Sequence, residues 1–130
     1  MLLLGHRFIR SENLYHISNA EAVLKTPSNS TMYLEFNENN LDIIDYLQAN
    51  GIAFALAVKN LTEVIYASAL GAKYIVTDEA LCKEAQQIAQ EYLFDAKILV
   101  RIESDEQIER FAKKGIDGVL YPEAIIKVTT

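Results

Sequence analysis

Asn60-Leu61-Thr62-Glu63-Val64-Ile65-Tyr66-Ala67-Ser68-Ala69-Leu70-Gly71-Ala72-Lys73-Tyr74-Ile75-Val76-Thr77-Asp78 holds one complete unit of the fold. The Asn60 side chain can accept from the free amides at a helix start, and Glu63 stands at the offset of a capping box. Leu61 to Leu70 has helical spacing, and Gly71 stands where a left-handed helix cap is wanted. Tyr74 to Thr77 is then a short, β-rich apolar run. Sliding the chain so that Asn60 falls on Ser104 sets Gly71 on Gly115, Tyr74-Ile75-Val76 on Gly118-Val119-Leu120, and Glu79-Ala80 on Glu123-Ala124. Identity across this echo is slight, so it fits two βα units of similar length as well as a duplication.

The same alternation extends in both directions. Strands are expected at Met32 to Phe36, Ala53 to Val58, Tyr74 to Thr77, Ile98 to Ile102 and Gly118 to Tyr121. Helices are expected at Leu41 to Asn50, Leu61 to Leu70, Glu79 to Phe94 and Asp105 to Lys114. The strands are apolar throughout rather than alternating, as when helices cover both faces of a parallel sheet. Asn40, Asn60 and Ser104 precede helices as candidate caps, with Gln107 in capping-box relation to Ser104. Gly51, Gly71 and Gly115 each close a helix before a strand, which accounts for three of the five glycines. The expected architecture is a three-layer, flavodoxin-like α/β domain with a mainly parallel five-stranded sheet, spanning residues 1–130. Residues 31–124 form its βα repeat core. Residues 1–30 read as an N-terminal extension: Leu2 to Ile9 and Leu14 to Ile17 as a hairpin or edge strands, then a short helix from Asn19 to Lys25 and a loop over Thr26 to Ser30.

Composition bounds the function. The 130 residues are 51% hydrophobic and 23% charged, which excludes a disordered tail and supports a core without disulfides. A complete eight-fold βα barrel typically takes about 250 residues. The net charge of -6 disfavours nucleic acid and anionic membrane surfaces as partners. The apolar start, Met1 to Leu4, is too short for a signal peptide, and no stretch is long enough to span a bilayer. The lone Cys82 reads as a small core residue in a reducing compartment. Together these point to a cytoplasmic protein. There is no Gly-rich phosphate loop, no zinc-like spacing of Cys and His, and no G-x-S-x-G elbow.

In an open α/β sheet, ligands bind outside the carboxyl ends of the strands. That rim offers Glu35 and Asn37, Lys59 and Asn60, Thr77 and Asp78, Glu103 and Ser104, then Tyr121, Pro122 and Glu123. The ligand-binding candidates are Glu35, Asn37, Asn60, Asp78, Glu103 and Ser104. Glu35 and Asp78 are the weak candidates for a metal such as Mg²⁺, although no cofactor is expected. A rim this acidic suits a cation or a polar neutral molecule better than a naked anion. The same residues also read as helix caps and solvated loop positions.

Met32-Tyr33-Leu34-Glu35-Phe36-Asn37-Glu38-Asn39-Asn40-Leu41 resembles the opening of a response-regulator receiver domain, and Gly71 to Asp78 resembles the strand that ends in its phospho-accepting Asp. The run Gly115-Ile116-Asp117-Gly118-Val119-Leu120-Tyr121-Pro122 is similar to that family's last strand. The acidic pair is reduced to Glu35-Phe36, and Tyr121 replaces the Lys before the proline. Both changes remove supports of phosphoryl transfer to an Asp. A second resemblance joins Gly5-His6-Arg7, Glu12-Asn13 and Glu35-Phe36-Asn37 to glycerophosphodiester phosphodiesterases, with Phe8 in place of Gly and Asn37 in place of Asp. At about half that barrel's length, the chain would be a half-barrel remnant.

The first resemblance implies a non-catalytic, receiver-like regulatory or protein-interaction module, with a protein partner or a second copy of itself. The alternative is a small metabolite- or phosphate-ester-binding protein, or a phosphodiesterase-like enzyme, with its site at the carboxyl ends of the strands.

Overall fold

A computed structural model describes residues 1–129. Its strands are β1 (Leu2–Leu4), β2 (Leu14–His16), β3 (Thr31–Glu35), β4 (Phe54–Ala57), β5 (Tyr74–Thr77), β6 (Lys97–Arg101), β7 (Gly118–Leu120) and β8 (Ile125–Lys127). Four α-helices connect the middle strands: α1 (Leu41–Ala49), α2 (Leu61–Ala69), α3 (Glu79–Glu91) and α4 (Glu106–Lys113). Short 3-10 turns at Ala20–Lys25, Glu38–Asn40 and Pro122–Ala124 complete the connections.

All eight strands lie in one sheet, in the order β1-β7-β6-β5-β4-β3-β2-β8, and every pairing is parallel. This overturns the expected five-stranded flavodoxin-like sheet. The five expected strands are present and parallel, but three more join them. The first thirty residues supply two of those three strands. β1 pairs with β7, from Leu2 on Gly118 to Leu4 on Leu120, and β2 sits between β3 and β8. β1 is an edge strand, as one alternative had it, whereas β1 and β2 do not pair with each other, so the hairpin alternative falls.

The sheet is curled. Leu4, Leu14, Tyr33, Ala55, Ala57, Tyr74, Val76, Leu99, Leu120 and Ala124, with Ile125 against them, form one apolar cluster to which all eight strands or their ends contribute. The curl shows where the end of β1 meets the start of β8: these are the opposite edges of the sheet, yet Gly5 lies against Ala124. Ala55 and Ala57 leave room for the rings of Tyr33 and Tyr74 in this narrow interior. Leu99 and Leu120 are fully buried there, each contributing roughly 2 kcal/mol. The opposite face of the strands packs beneath the helices in a larger cluster that includes Ile44, Leu47, Leu56, Val64, Ile75, Ile98, Val100 and Phe111. Having apolar surface on both sides is why the strands read as continuous apolar runs.

Two glycines permit the closest approaches. A Cβ on Gly118 would stand 2.7 Å from Leu2 Cβ and 2.9 Å from Leu2 O, so β1 lies tight against β7 only because none is there. Gly5, with φ +90°, brings the end of β1 against the chain before β8; a Cβ there would lie 2.9 Å from Ala124 N. The two outermost strands of the sheet thus approach each other.

Local signals act mostly as expected. Asn60 Oδ1 accepts from Glu63 N at 2.9 Å, and Glu63 Oε1 accepts from Lys59 N at 2.9 Å. Asn40 makes no side-chain cap; its Nδ2 donates to Glu35 O at 2.7 Å instead. Ser104 is also not the cap of α4, which starts one residue later. Gln107 Oε1 accepts from the amides of both Glu103 and Ser104, at 2.9 and 3.1 Å. Cys82 is fully buried, and burial pushes its thiol pKa up. Among the described residues, no helix is long and apolar enough to cross a membrane.

Candidate functional site

Because every strand points the same way, all their carboxyl ends share one rim. Within it, the adjacent ends of β1, β7 and β6 form a cleft of about 570 Å³ lined by Gly5, His6, Arg7, Glu103, Ser104, Asp105, Glu106, Tyr121 and Glu123. Gly5 turns the chain at the end of β1 and aims His6 and Arg7 across the end of β7 toward Asp105, which immediately precedes α4.

Asp105 is the hub. Its Oδ1 accepts from Tyr121 Oη at 2.5 Å and lies 3.2 Å from His6 Nε2, while its Oδ2 takes Arg7 Nη1 at 2.8 Å. The Tyr121 hydrogen bond, then Arg7 and His6, hold the Asp105 pKa below the usual carboxylate range against a smaller effect of burial. Burial and the Asp105 carboxylate push the Tyr121 hydroxyl up to about 12. Tyr121 is therefore a persistent donor at neutral pH rather than a base. His6 Nδ1 accepts from Phe8 N at 3.0 Å, which puts the ring proton on Nε2, toward Asp105. With both nitrogens engaged and only 9% of the residue exposed, His6 organises the floor of the cleft.

The side chains of Glu103, Ser104, Glu106 and Glu123 make no hydrogen bond or ion pair among the described residues, and they face the same cleft. Arg7, with 65% of its side chain exposed, keeps its other guanidinium donors for the cleft's mouth. The floor is thus fixed and internally satisfied, while the walls carry unpaired acceptors and one cation.

Of the residues expected from sequence, Glu103 and Ser104 line this cleft. Glu35 and Asn37 stand at the end of β3, Asn60 at the end of β4 and Asp78 at the end of β5, farther round the rim. Glu35 and Asp78 are separated by β4, and Asp78 Oδ1 is occupied capping Leu81 N at 2.9 Å, so the two do not form a metal pair. Among the described residues, no group of three or more His, Cys, Asp or Glu side chains is arranged to hold a metal. Asn60 serves as a helix cap. Asn37 Oδ1 is buried with no hydrogen-bond partner. Tyr121 and Glu123 also line the cleft from the expected rim, whereas His6, Arg7 and Asp105 lie outside the expected set. The signal that could have found them was Gly118, since a glycine opening a strand marks close approach by another backbone.

No known protein family matches the sequence, and no curated protein matches it. Among solved structures, the chain is similar to the N-acetylmannosamine-6-phosphate 2-epimerase of Clostridium perfringens, with a TM-score of 0.60 and 17% identity over 82% of this chain. The match covers 55% of the epimerase chain. At that identity the likeness shows the fold alone. It overturns both the receiver-like and the phosphodiesterase-like expectations, and the non-catalytic receiver module falls with the five-stranded layout that motivated it. What this chain shares with the epimerase is a curled, barrel-like sheet of parallel strands.

Proposed function

We propose that this protein binds a small polar metabolite, rich in hydroxyl or ammonium groups, in the cleft at the carboxyl ends of β1, β7 and β6. The observation that carries this reading is the contrast within the cleft: a floor whose polar atoms are mutually satisfied, and walls where Glu103, Ser104, Glu106 and Glu123 have no partner. Unpaired carboxylates on a concave surface are matched by ligand O–H or N–H donors. The exposed donors of Arg7 suit an anionic substituent at the mouth, such as a phosphate ester. Parallel barrel-like folds use the carboxyl ends of their strands for ligands, which supports the choice of end by fold-level analogy. The solved neighbour is named for a phosphorylated amino sugar, so sugar phosphates and amino sugars belong in the first screen.

The test is a thermal-shift screen with sugars, amino sugars, sugar phosphates and amines. A ligand at about a hundred times its Kd stabilises by about 2.7 kcal/mol, enough to raise Tm by several degrees. The shift is expected to vanish in Glu103→Gln combined with Glu123→Gln and to persist in Asp78→Ala, which lies outside the cleft. A ligand whose effect is lost with Asp78→Ala and kept in the cleft double variant would overturn the assignment.

A further inference from the structure

The turn that carries Arg7 to the cleft depends on one protonation state of one side chain. His6 Nδ1 is the acceptor for Phe8 N at 3.0 Å, and Ile9 N closes the turn on His6 O at 3.1 Å. When the ring takes up a second proton from solvent, it lands on Nδ1 and points at the Phe8 N–H. Two donors cannot share that separation, so one must turn away. Burial decides which one moves. The His6 ring is held inside the cleft by Asp105 and edge-on to Tyr121 at 5.5 Å between ring centroids, with its side chain 6% exposed. The Arg7 and Phe8 side chains, in contrast, lie on the surface, with the Arg7 guanidinium 4.4 Å from the centre of the Phe8 ring.

We propose that protonation of His6 releases the turn from Arg7 to Ile9 and opens the lip of the cleft. Several charged and titratable groups face or surround the ring. On its own loop stands Arg7, which shares the Asp105 carboxylate and is repelled by a charged ring. From the end of β6 and the start of α4 come Asp105, which holds the imidazolium, and the cleft carboxylates of Glu103 and Glu106. Beyond β7 come the Tyr121 hydroxyl, which stays protonated, and the Glu123 carboxylate. Asp105 keeps its place beside the ring while a charged ring repels Arg7, so the expected motion is outward for Arg7 and Phe8 with the ring left in place. Histidine is the side chain that changes charge nearest neutrality, so the test spans about pH 8 to pH 5. The consequence for ligand access rests on the proposed binding site; the motion itself does not.

Amide spectra of the ¹⁵N-labelled, ligand-free protein, recorded across that range with both histidine rings followed, test the proposal. The Phe8 and Ile9 amides are expected to shift in step with the His6 ring, with loss of the hydrogen-bonded position of Phe8, while Val76 and Leu99 stay still. In His6→Asn, the Oδ1 of Asn can take the place of Nδ1 and cannot be protonated, so the step at Phe8 disappears. In His16→Asn, it remains. A Phe8 amide that stays flat while His6 titrates would overturn the proposal. So would a step that survives in His6→Asn, or one that sweeps the whole spectrum as global unfolding. Should His6→Asn fail to fold, the match between the Phe8 and His6 titrations in the unaltered chain, set against His16, decides. With no ligand present, failure here leaves the metabolite screen standing, and failure of the screen leaves this turn untouched.

Discussion

The two ends of the sheet each hold a tyrosine bound to a carboxylate at 2.5 Å, with a cation beside it, yet they are built for different purposes. At the amino end, Glu12 receives Tyr74 and Lys73 on Oε2 and Thr31 on Oε1, knitting the β1–β2 loop to the starts of β3 and β5. Thr31 and Tyr74 are almost completely buried, at 1% and 5% exposure. Burial alone would raise the Glu12 pKa, but the hydrogen bonds from Tyr74, Thr31 and Lys73, with the charge of Lys73, leave it lowered. The neighbouring hollow, about 400 Å³, is lined largely by Met1, Leu2, Leu3, Leu4 and Ile9. At the carboxyl end, Asp105 is more open, and the hollow beside it has charged walls. The same pair of side chains thus acts as an internal rivet where apolar groups surround it, and as the fixed floor of a polar recess where unpaired carboxylates do.

The comparison is sharpest where the two carboxylates are removed. Glu12→Ala strands two buried hydroxyls and is expected to cost about 3 kcal/mol, read as a lower urea midpoint with an unchanged m value. Asp105→Ala is expected to lower the midpoint less: Tyr121 and His6 are themselves only 6% and 9% exposed, but they line the cleft, from which water can enter once the carboxylate is gone; equal losses would break the distinction. The same variant lowers the Tyr121 pKa from about 12, although not to the ordinary tyrosine value, because burial is the larger cause and remains. An absorbance titration of tyrosine ionisation reads this directly.

An alkaline titration separates the two ends more finely. Both tyrosines have raised pKa values in the fold, so their contributions are complete below the ordinary value of about 10 and are lost as pH rises through the folded one. Tyr121 reaches that point near 12, whereas Tyr74 is raised further, so the carboxyl-end cluster comes apart first. In acid, the lowered Glu12 and Asp105 act in the opposite sense: their contributions are complete above the ordinary carboxylate values and fade as pH falls through the folded ones, below about pH 4. Stability measured against pH should therefore fall at both extremes. The smallest effect is expected from Arg7→Ala, whose pairing is largely solvated; its urea midpoint should stay within experimental scatter.

The middle of the fold was legible in the sequence because its elements are long enough to show a period. The Tyr74–Thr77 strand has the expected bounds, and the starts of α1, α2 and α3 fall where the apolar spacing puts them. The short runs at β1 and β2 read as a hairpin or edge strands, but three residues say nothing about which strand they pair with, and their place in the sheet rests on long-range pairing. Ile125–Lys127 gave no strand signal at all. The error spread to the site. Once β1 was set aside as an extension, its carboxyl end dropped out of the rim, taking His6 and Arg7 with it. Glu103 and Ser104 remained visible because β6 and α4 are both long enough to locate the junction between them. Asp105 read as a helix start, which it is, and nothing local reveals that it also gathers partners from two other strands.

The register of Leu2 on Gly118 carries a consequence for biosynthesis. β1 leaves the ribosome well before β7 and has no docking place until β7 has followed it out. Truncated or stalled products ending before that point lack both the partner for Leu2–Leu4 and the Tyr121 side of the recess. The recess is therefore absent from chains that end before Tyr121, and its assembly coincides with a slow, long-range strand closure.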